Sequence, residues 1–265
     1  MTADSSITDV ATRAAALQGG EVDVVEIVPP DFVSLLRRNR NIVVMRPKGG
    51  MGQYMPFISL NHAHPPFDNP AIRRAAQTAI AQAEIMAGTG LPEDMYLREC
   101  LTIYACDSPT ATEVGTEDLR GRGLERAREL LREAGYNNER VVFLHPTDSA
   151  ILNPVAAVAA VAVEQLRRAG FNVDEWTSDW ASVAQRRLNR GPVERGGWSA
   201  VTVVWPGIDL FNPMVNSVAA YNCRNYPGWF CDEEMKALME RYAAEGDPAR
   251  RGSWRAASSG ASMRT

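Results

Sequence analysis

The chain has 265 residues, with 28 Lys and Arg against 32 Asp and Glu and a formal net charge of −4. That acidic balance, with a pI near 5.5, lacks the positive footprint a nucleic-acid-binding surface needs, so no nucleic-acid partner is expected. A composition 45% hydrophobic and 23% charged is ordinary for a soluble globular protein, with enough apolar material for one large domain or two modest ones.

The start, Met1 to Ser6, is polar and lacks the basic stretch and apolar run of a secretory signal, so nothing as written is expected to export the chain. Apolar positions recur at helical spacing from Ile7 to Gln18, and Gly19-Gly20 stops that helix. Val22 to Val28 reads as a strand. Pro29-Pro30-Asp31 opens a second helix through Arg38, with Asp31 near its positive end. Asn41 to Arg46 and Tyr54 to Leu60 read as strands around a loop from Pro47 to Gly52.

After Asn61 the character changes. His62 to Asn69 is rich in Pro and His and reads as a crossing between lobes. Pro70 to Met86 predicts an amphipathic helix with Pro in its first turn and Gly88 beyond its end. Met95 to Thr116 is irregular, and Glu117 to Ala134 predicts a charged helix stopped by Gly135. From there the order is strand (Val141 to Leu144), helix (Asn153 to Ala169), strand (Phe171 to Trp176), helix (capped by Ser178 or Asp179, through Asn189) and strand (Trp198 to Val204). Such alternation implies an α/β layer with some parallel pairing. A last helix covers Asp232 to Ala244, and residues 252–265 lack apolar periodicity and are expected to be disordered. No apolar run reaches the roughly 18 to 20 residues that span a bilayer.

The four cysteines fall into two local pairs, Cys100/Cys106 and Cys223/Cys231. Three pairings are open, the two local ones being the simplest, and a bridge persists only in an oxidising compartment. Their spacing fits zinc poorly. The chain carries no G-x-S-x-G elbow, P-loop, strand-linked G-x-G-x-x-G or H-E-x-x-H, so it is not expected to be an enzyme and needs no cofactor.

Several segments together resemble the peptide/nickel/opine-type substrate-binding proteins of ABC transporters, solute-binding family 5. They are Thr12-Arg13-Ala14-Ala15-Ala16-Leu17-Gln18-Gly19-Gly20-Glu21-Val22-Asp23, Pro66-Phe67-Asp68-Asn69-Pro70, Ala127-Arg128-Glu129-Leu130-Leu131-Arg132-Glu133-Ala134-Gly135-Tyr136, and Leu166-Arg167-Arg168-Ala169-Gly170-Phe171. Gly196-Gly197-Trp198 and Trp205-Pro206-Gly207-Ile208-Asp209 extend the match. The resemblance implies a two-lobed, periplasmic-binding-protein type II-like α/β fold. Residues 1–60 would be part of lobe I, 61–251 the second ligand-binding lobe, and 252–265 a tail outside the family. Family members are about twice this length, so the frame is expected to be truncated or frameshifted. The implied activity is capture of a peptide or similar polar solute in the periplasm, by a monomer, for delivery to the transmembrane subunits of an ABC permease. A non-functional remnant is the rival outcome.

Strand ends in α/β sheets face the ligand crevice, which singles out Trp205 and Asp209. The family resemblance implies that Asp209 pairs with a ligand amine; its spacing from Trp205 is one residue longer than expected, and capping the turn is the alternative. Tyr54, Tyr104 and Trp229 are further ligand-binding candidates: Tyr54 on a strand leading to the crossing, Tyr104 on a loop that a disulfide would stiffen, Trp229 beside Cys231. Packing is the competing role for each. His62 and His64, at i and i+2 on a segment read as extended, would point the same way and could hold nickel, although no third ligand is evident. Arg186, Arg187, Arg190 and Arg195 make a basic helix end that reads as a solvated face.

Overall fold

In a computed structural model, which describes residues 9–50, 52–147, 153–216 and 226–264, the apolar runs assemble into one mixed sheet. Its strands are β1 (Tyr54–Leu60), β2 (Arg140–Pro146), β3 (Asn172–Ser178) and β4 (Ala200–Pro206), in the order β1-β4-β2-β3. β2 runs parallel to both β3 and β4, while β1 is antiparallel to β4 with Met55 opposite Trp205. The three parallel strands therefore end on one side, at Pro146, Ser178 and Pro206, where Tyr54 starts β1. The carboxyl ends of parallel strands are where α/β sheets open a crevice.

The alternation along β2 explains the layers. Val141 and Phe143 face α3 (Pro70–Ala79), α5 (Leu124–Glu133) and α6 (Asn153–Ala169), sharing a core with Ile72, Leu131 and Leu166. Val142 and Leu144 face the other way, onto Val183 of α7 (Trp180–Arg187) and onto Trp198. A strand covered on both faces reads as a continuous apolar run, as this one does. Trp198 is almost fully buried, and its indole N–H donates to the Arg187 carbonyl at 2.9 Å, satisfying the polar atom its burial would strand.

The helix signals hold where they are local. α1 (Val10–Gly19) ends in Gly20 at φ 73°, whose N–H caps the last turn. Pro70 opens α3 with the Asn69 side chain accepting from the Ala71 N–H, and Asp179 caps α7 by accepting from the Ser182 N–H. α2 (Pro30–Leu36) begins at its proline as expected. Ile7 and Thr8, at the expected start of α1, lie outside the described residues.

Four expectations change. The helix expected over 70–86 divides: α3 stops at Ala79 and α4 (Gln82–Gly88) restarts after Ala81. The buried Gln165 side chain accepts from the Ala81 N–H and donates to the Ala81 carbonyl, at 3.1 and 3.2 Å, so the break leaves neither group stranded. The helix expected from Glu117 begins only at Leu124, because Glu117–Gly121 is a 3-10 turn and Gly123 sits at φ 155°. The strands expected over 22–28 and 41–46 do not form, apart from a single bridge at Val24. Their backbone needs a hydrogen-bonded neighbour, and among the described residues no strand runs beside them. The disorder expected over 252–265 gives way to α9 (Pro248–Arg264), which follows α8 (Glu233–Ala244). Trp254 of α9 packs against the cluster of Met235, Leu238 and Met239, with the Arg241 guanidinium 5.5 Å above its ring. Among the described residues no helix is long and apolar enough to cross a membrane.

Candidate functional site

β4 delivers Trp205 to the crevice edge, and the turn that follows is clamped from below. The Gly207 N–H donates to the Gln53 carbonyl at 2.6 Å, and a Cβ at 207 would collide with the Gly50 carbonyl oxygen. Only glycine allows so close a backbone approach. Gly50, at φ 82°, rests in turn on the loop around Cys106, where an added Cβ would meet the Cys106 carbonyl at 2.7 Å. That loop is closed by the Cys100–Cys106 disulfide, with Cα atoms 6.1 Å apart. The Gln82 side chain grips Cys100 at both its N–H and its carbonyl. Met55, Ala105, Cys106 and Leu210 form the small core under this stack, with Trp205 at its margin. Cys231 is likewise disulfide-bonded, while Cys223 lies outside the described residues.

Beside the stack opens a cavity of about 1390 Å³, whose wall includes Tyr54, His62, Arg73, Trp205, Tyr226 and Phe230. That exceeds the usual volume of a small-ligand pocket. Trp205 is half-buried, its ring 6.2 Å from that of Tyr226. Asp209 is also half-buried, in the 3-10 turn Gly207–Leu210, but is not part of the cavity wall. Tyr54 lines the cavity and donates its hydroxyl to Glu26 Oε1 at 2.7 Å. Burial, and then the neighbouring Glu26 carboxylate, push its phenol up to about 12.

The remaining candidates lie elsewhere. Tyr104 is not at a rim: it is fully buried against Met235 and Met239, and its hydroxyl donates to the Arg255 carbonyl at 3.3 Å. α8 and α9 cover the disulfide loop, which sequence spacing could not show. Trp229, at φ 50°, is buried against Trp198 at 5.9 Å with the Arg190 guanidinium 5.8 Å from its ring. It stands behind the wall, to which its neighbour Gly228 contributes.

His62 and His64 engage different neighbours, because the segment after Asn61 turns instead of running extended. The His62 ring lies 5.3 Å from that of Phe230, and burial, followed by the charge of Arg73, pushes its imidazole down to about 3. The Nε2 of His64 donates to the Arg190 carbonyl at 2.6 Å. Among the described residues no group of three or more His, Cys, Asp and Glu could hold a metal ion. Tyr226 and Phe230 are wall residues that no periodicity marked. Their place depends on a chain return that follows β4.

Comparison with known proteins places this geometry. Residues 5–227 match the sequence profile described as bacterial extracellular solute-binding proteins, family 5 middle. The probable peptide ABC transporter periplasmic-binding protein y4tO of Sinorhizobium fredii is 27% identical over 239 residues, covering 89% of this chain and 44% of the relative. The glutathione-binding protein GsiB of Escherichia coli (strain K12) is 29% identical over 206 residues, covering 74% of this chain and 37% of its own. Among solved structures, the ABC transporter-associated periplasmic binding protein DppA of Helicobacter pylori, in complex with the peptide STSA, superposes with a TM-score of 0.75 at 18% identity. That alignment covers 97% of this chain and 48% of DppA. The chain thus spans less than half the length of these curated relatives. The fold is the periplasmic-binding-protein type II α/β architecture, represented by about half of it.

Proposed function

The chain belongs to the bacterial extracellular solute-binding proteins of family 5, and from that membership we propose that it forms one wall of a cleft that captures short peptides for an ABC importer. Residues 1–60 contribute a segment of the first lobe and 61–251 the second, and ligand is held between them without chemical change. Capture takes place outside the cytoplasmic membrane, by a monomer, and release is to the transmembrane permease subunits. Relatives that share this sequence pattern are named for peptide transport and glutathione binding, which supports a peptide-like solute.

The observation that carries this reading is the Trp205 turn. An aromatic face stands half-open at the carboxyl end of β4, on a backbone locked by Gly207 and Gly50, beside a cavity large enough for a peptide. Rigid aromatic anchors give large contact area at low entropic cost. Asp209 stands four residues on, outside the wall of that cavity and with its carboxylate paired with no described residue, and is assigned as the counter-charge for a ligand amine at the edge of the cleft. Binding to the folded state raises stability by mass action, about 2.7 kcal/mol at a hundred times Kd. A thermal-shift panel of di- and tripeptides, glutathione and nickel chloride tests the proposal. A peptide-dependent rise in Tm that Trp205→Ala abolishes is expected; a rise with nickel alone, or none with any peptide, would overturn it.

A further inference from the structure

The support beneath the Trp205 turn ends in a reducible bond. Gly207 lies on the Gly50 carbonyl and Gly50 on that of Cys106, each so closely that a Cβ at either glycine would collide. Cys106 is bridged to Cys100, and both cysteines line the same cavity as Trp205. Cys100 is half-buried, whereas Cys106 is only 6% exposed. A small solute in the cavity therefore meets the bridge from its Cys100 end.

The two ends of the bridge are held unequally. The Gln82 side chain accepts from the Cys100 N–H at 2.7 Å and donates to its carbonyl at 3.0 Å, and Asn216 donates to the Ile103 carbonyl at 2.8 Å. Among the described residues the Cys106 peptide group makes no backbone hydrogen bond. It is fixed by the bridge and by packing with Met55, Ala105 and Leu210. Asp107, the next residue, stands at φ 58° and pairs with Arg46 at 3.0 Å. A residue with a Cβ keeps that left-handed conformation only where its surroundings hold it. Sulphurs that are no longer bonded take an ordinary non-bonded separation, so on reduction the two must part. Cys100 is pinned, so Cys106 is the end that yields, and Cys106 carries Gly50 and Gly207. Close-packed contacts have little slack and pass such a shift on.

We propose that the Cys100–Cys106 bridge is a redox lock on the ligand wall: closed, it holds the Trp205 turn in place, and its reduction by a small dithiol entering the cavity releases the turn and weakens capture. One thiolate of the dithiol attacks Cys100 Sγ, the S–S bond breaks, and Cys106 leaves as a thiolate that takes up a proton. The second sulphur of the dithiol then displaces Cys100, so two electrons and two protons pass to the bridge while the dithiol closes to a cyclic disulfide. Capture is thereby confined to an oxidising compartment, where the bridge persists. The effect on capture rests on the cleft reading above; the release of the turn does not.

The test compares the 265-residue chain with a double variant, Cys100→Ser with Cys106→Ser, which leaves the bridge of Cys231 in place. Nitrogen-15 NMR of the indole groups and fluorescence titration with Ala-Glu are the readouts. In the variant, without reductant, the Trp205 signal is expected to move and that of Trp198 to stay, with circular dichroism unchanged. The Kd for Ala-Glu is expected to rise at least about fivefold, the lower end of common couplings between sites. By reciprocity, saturating Ala-Glu should make the bridge of the parent harder to reduce by the same factor, read as the fraction of Cys100 alkylated across dithiothreitol redox buffers. Gly50→Ala disturbs the stack with the bridge closed and is expected to displace the Trp205 signal as well. Where the double variant does not fold, Gly50→Ala and the reduction equilibrium of the parent decide. A Trp205 signal unmoved by loss of the bridge, or an Ala-Glu affinity and a reduction equilibrium that ignore each other, would overturn the lock and leave the cleft reading standing. Displacement of Trp205 with no binding of Ala-Glu or of any peptide in the panel above would keep the lock and sink the peptide reading.

Discussion

Residues 141–144 and 42–45 have similar sequences, each a short apolar run with paired valines, yet they end in opposite environments. Val141, Val142, Phe143 and Leu144 are essentially inaccessible, whereas Val43 is 82% exposed and Met45 70%. Ile42 and Val44 alternate with them as half-buried positions and line the cavity. Both stretches are continuous apolar runs, but only the first has neighbours on either side to complete its ladder. Hydrophobic pattern specifies a willing strand; pairing decides whether one forms.

The sharpest way to break this contrast is to remove a side chain from each region. Phe143→Ala should destabilise the fold by about 3–5 kcal/mol in chemical denaturation, because the cavity left between β2 and α6 cannot collapse. A loss under about 1 kcal/mol would mean the central layer is loosely packed. A second, smaller effect concerns His62, on the cavity wall it shares with Ile42 and Val44. Folding holds its imidazole down to about 3, while the unfolded chain takes up a proton near 6.5. Between those values the unfolded state binds the extra proton, so stability falls as pH drops below about 6.5, by up to about 1.4 kcal/mol per pH unit. His62→Gln should flatten that slope, and an identical pH profile in the variant would contradict the burial of His62. Smallest of all, Val43→Ser should change stability by no more than about 0.5 kcal/mol; a larger loss would show that this run packs more tightly than its exposure indicates.

Much of the architecture was legible because its signals are local. Pro70 opens its helix, Gly20 ends another, and of Ser178 and Asp179 it is Asp179 that caps α7, while the strand–helix alternation after Val141 becomes a largely parallel sheet. What escaped is long-range. The break after Ala79 depends on Gln165, more than eighty residues away. Tyr104 is core because α8 closes over it, and α9 is ordered against α8 despite a composition that suggested none. At the site, Trp205 and Tyr54 were readable from their places at a strand end and a strand start, and both reach the cavity. The Arg187–Tyr226 contact was not readable: Arg187 counts as one more solvated arginine until Tyr226 is brought beneath it. The two histidines misled because alternation holds only on extended chain, and theirs turns.

The chain's six tryptophans allow the central claim, that the Trp205 turn is a ligand wall, to be tested with an internal control. In a nitrogen-15 NMR titration with Ala-Glu, the indole signal of Trp205 should shift progressively, while that of Trp198, locked to the Arg187 carbonyl in the core, should stay in place. A saturating shift at Trp198 with Trp205 unmoved would contradict the account.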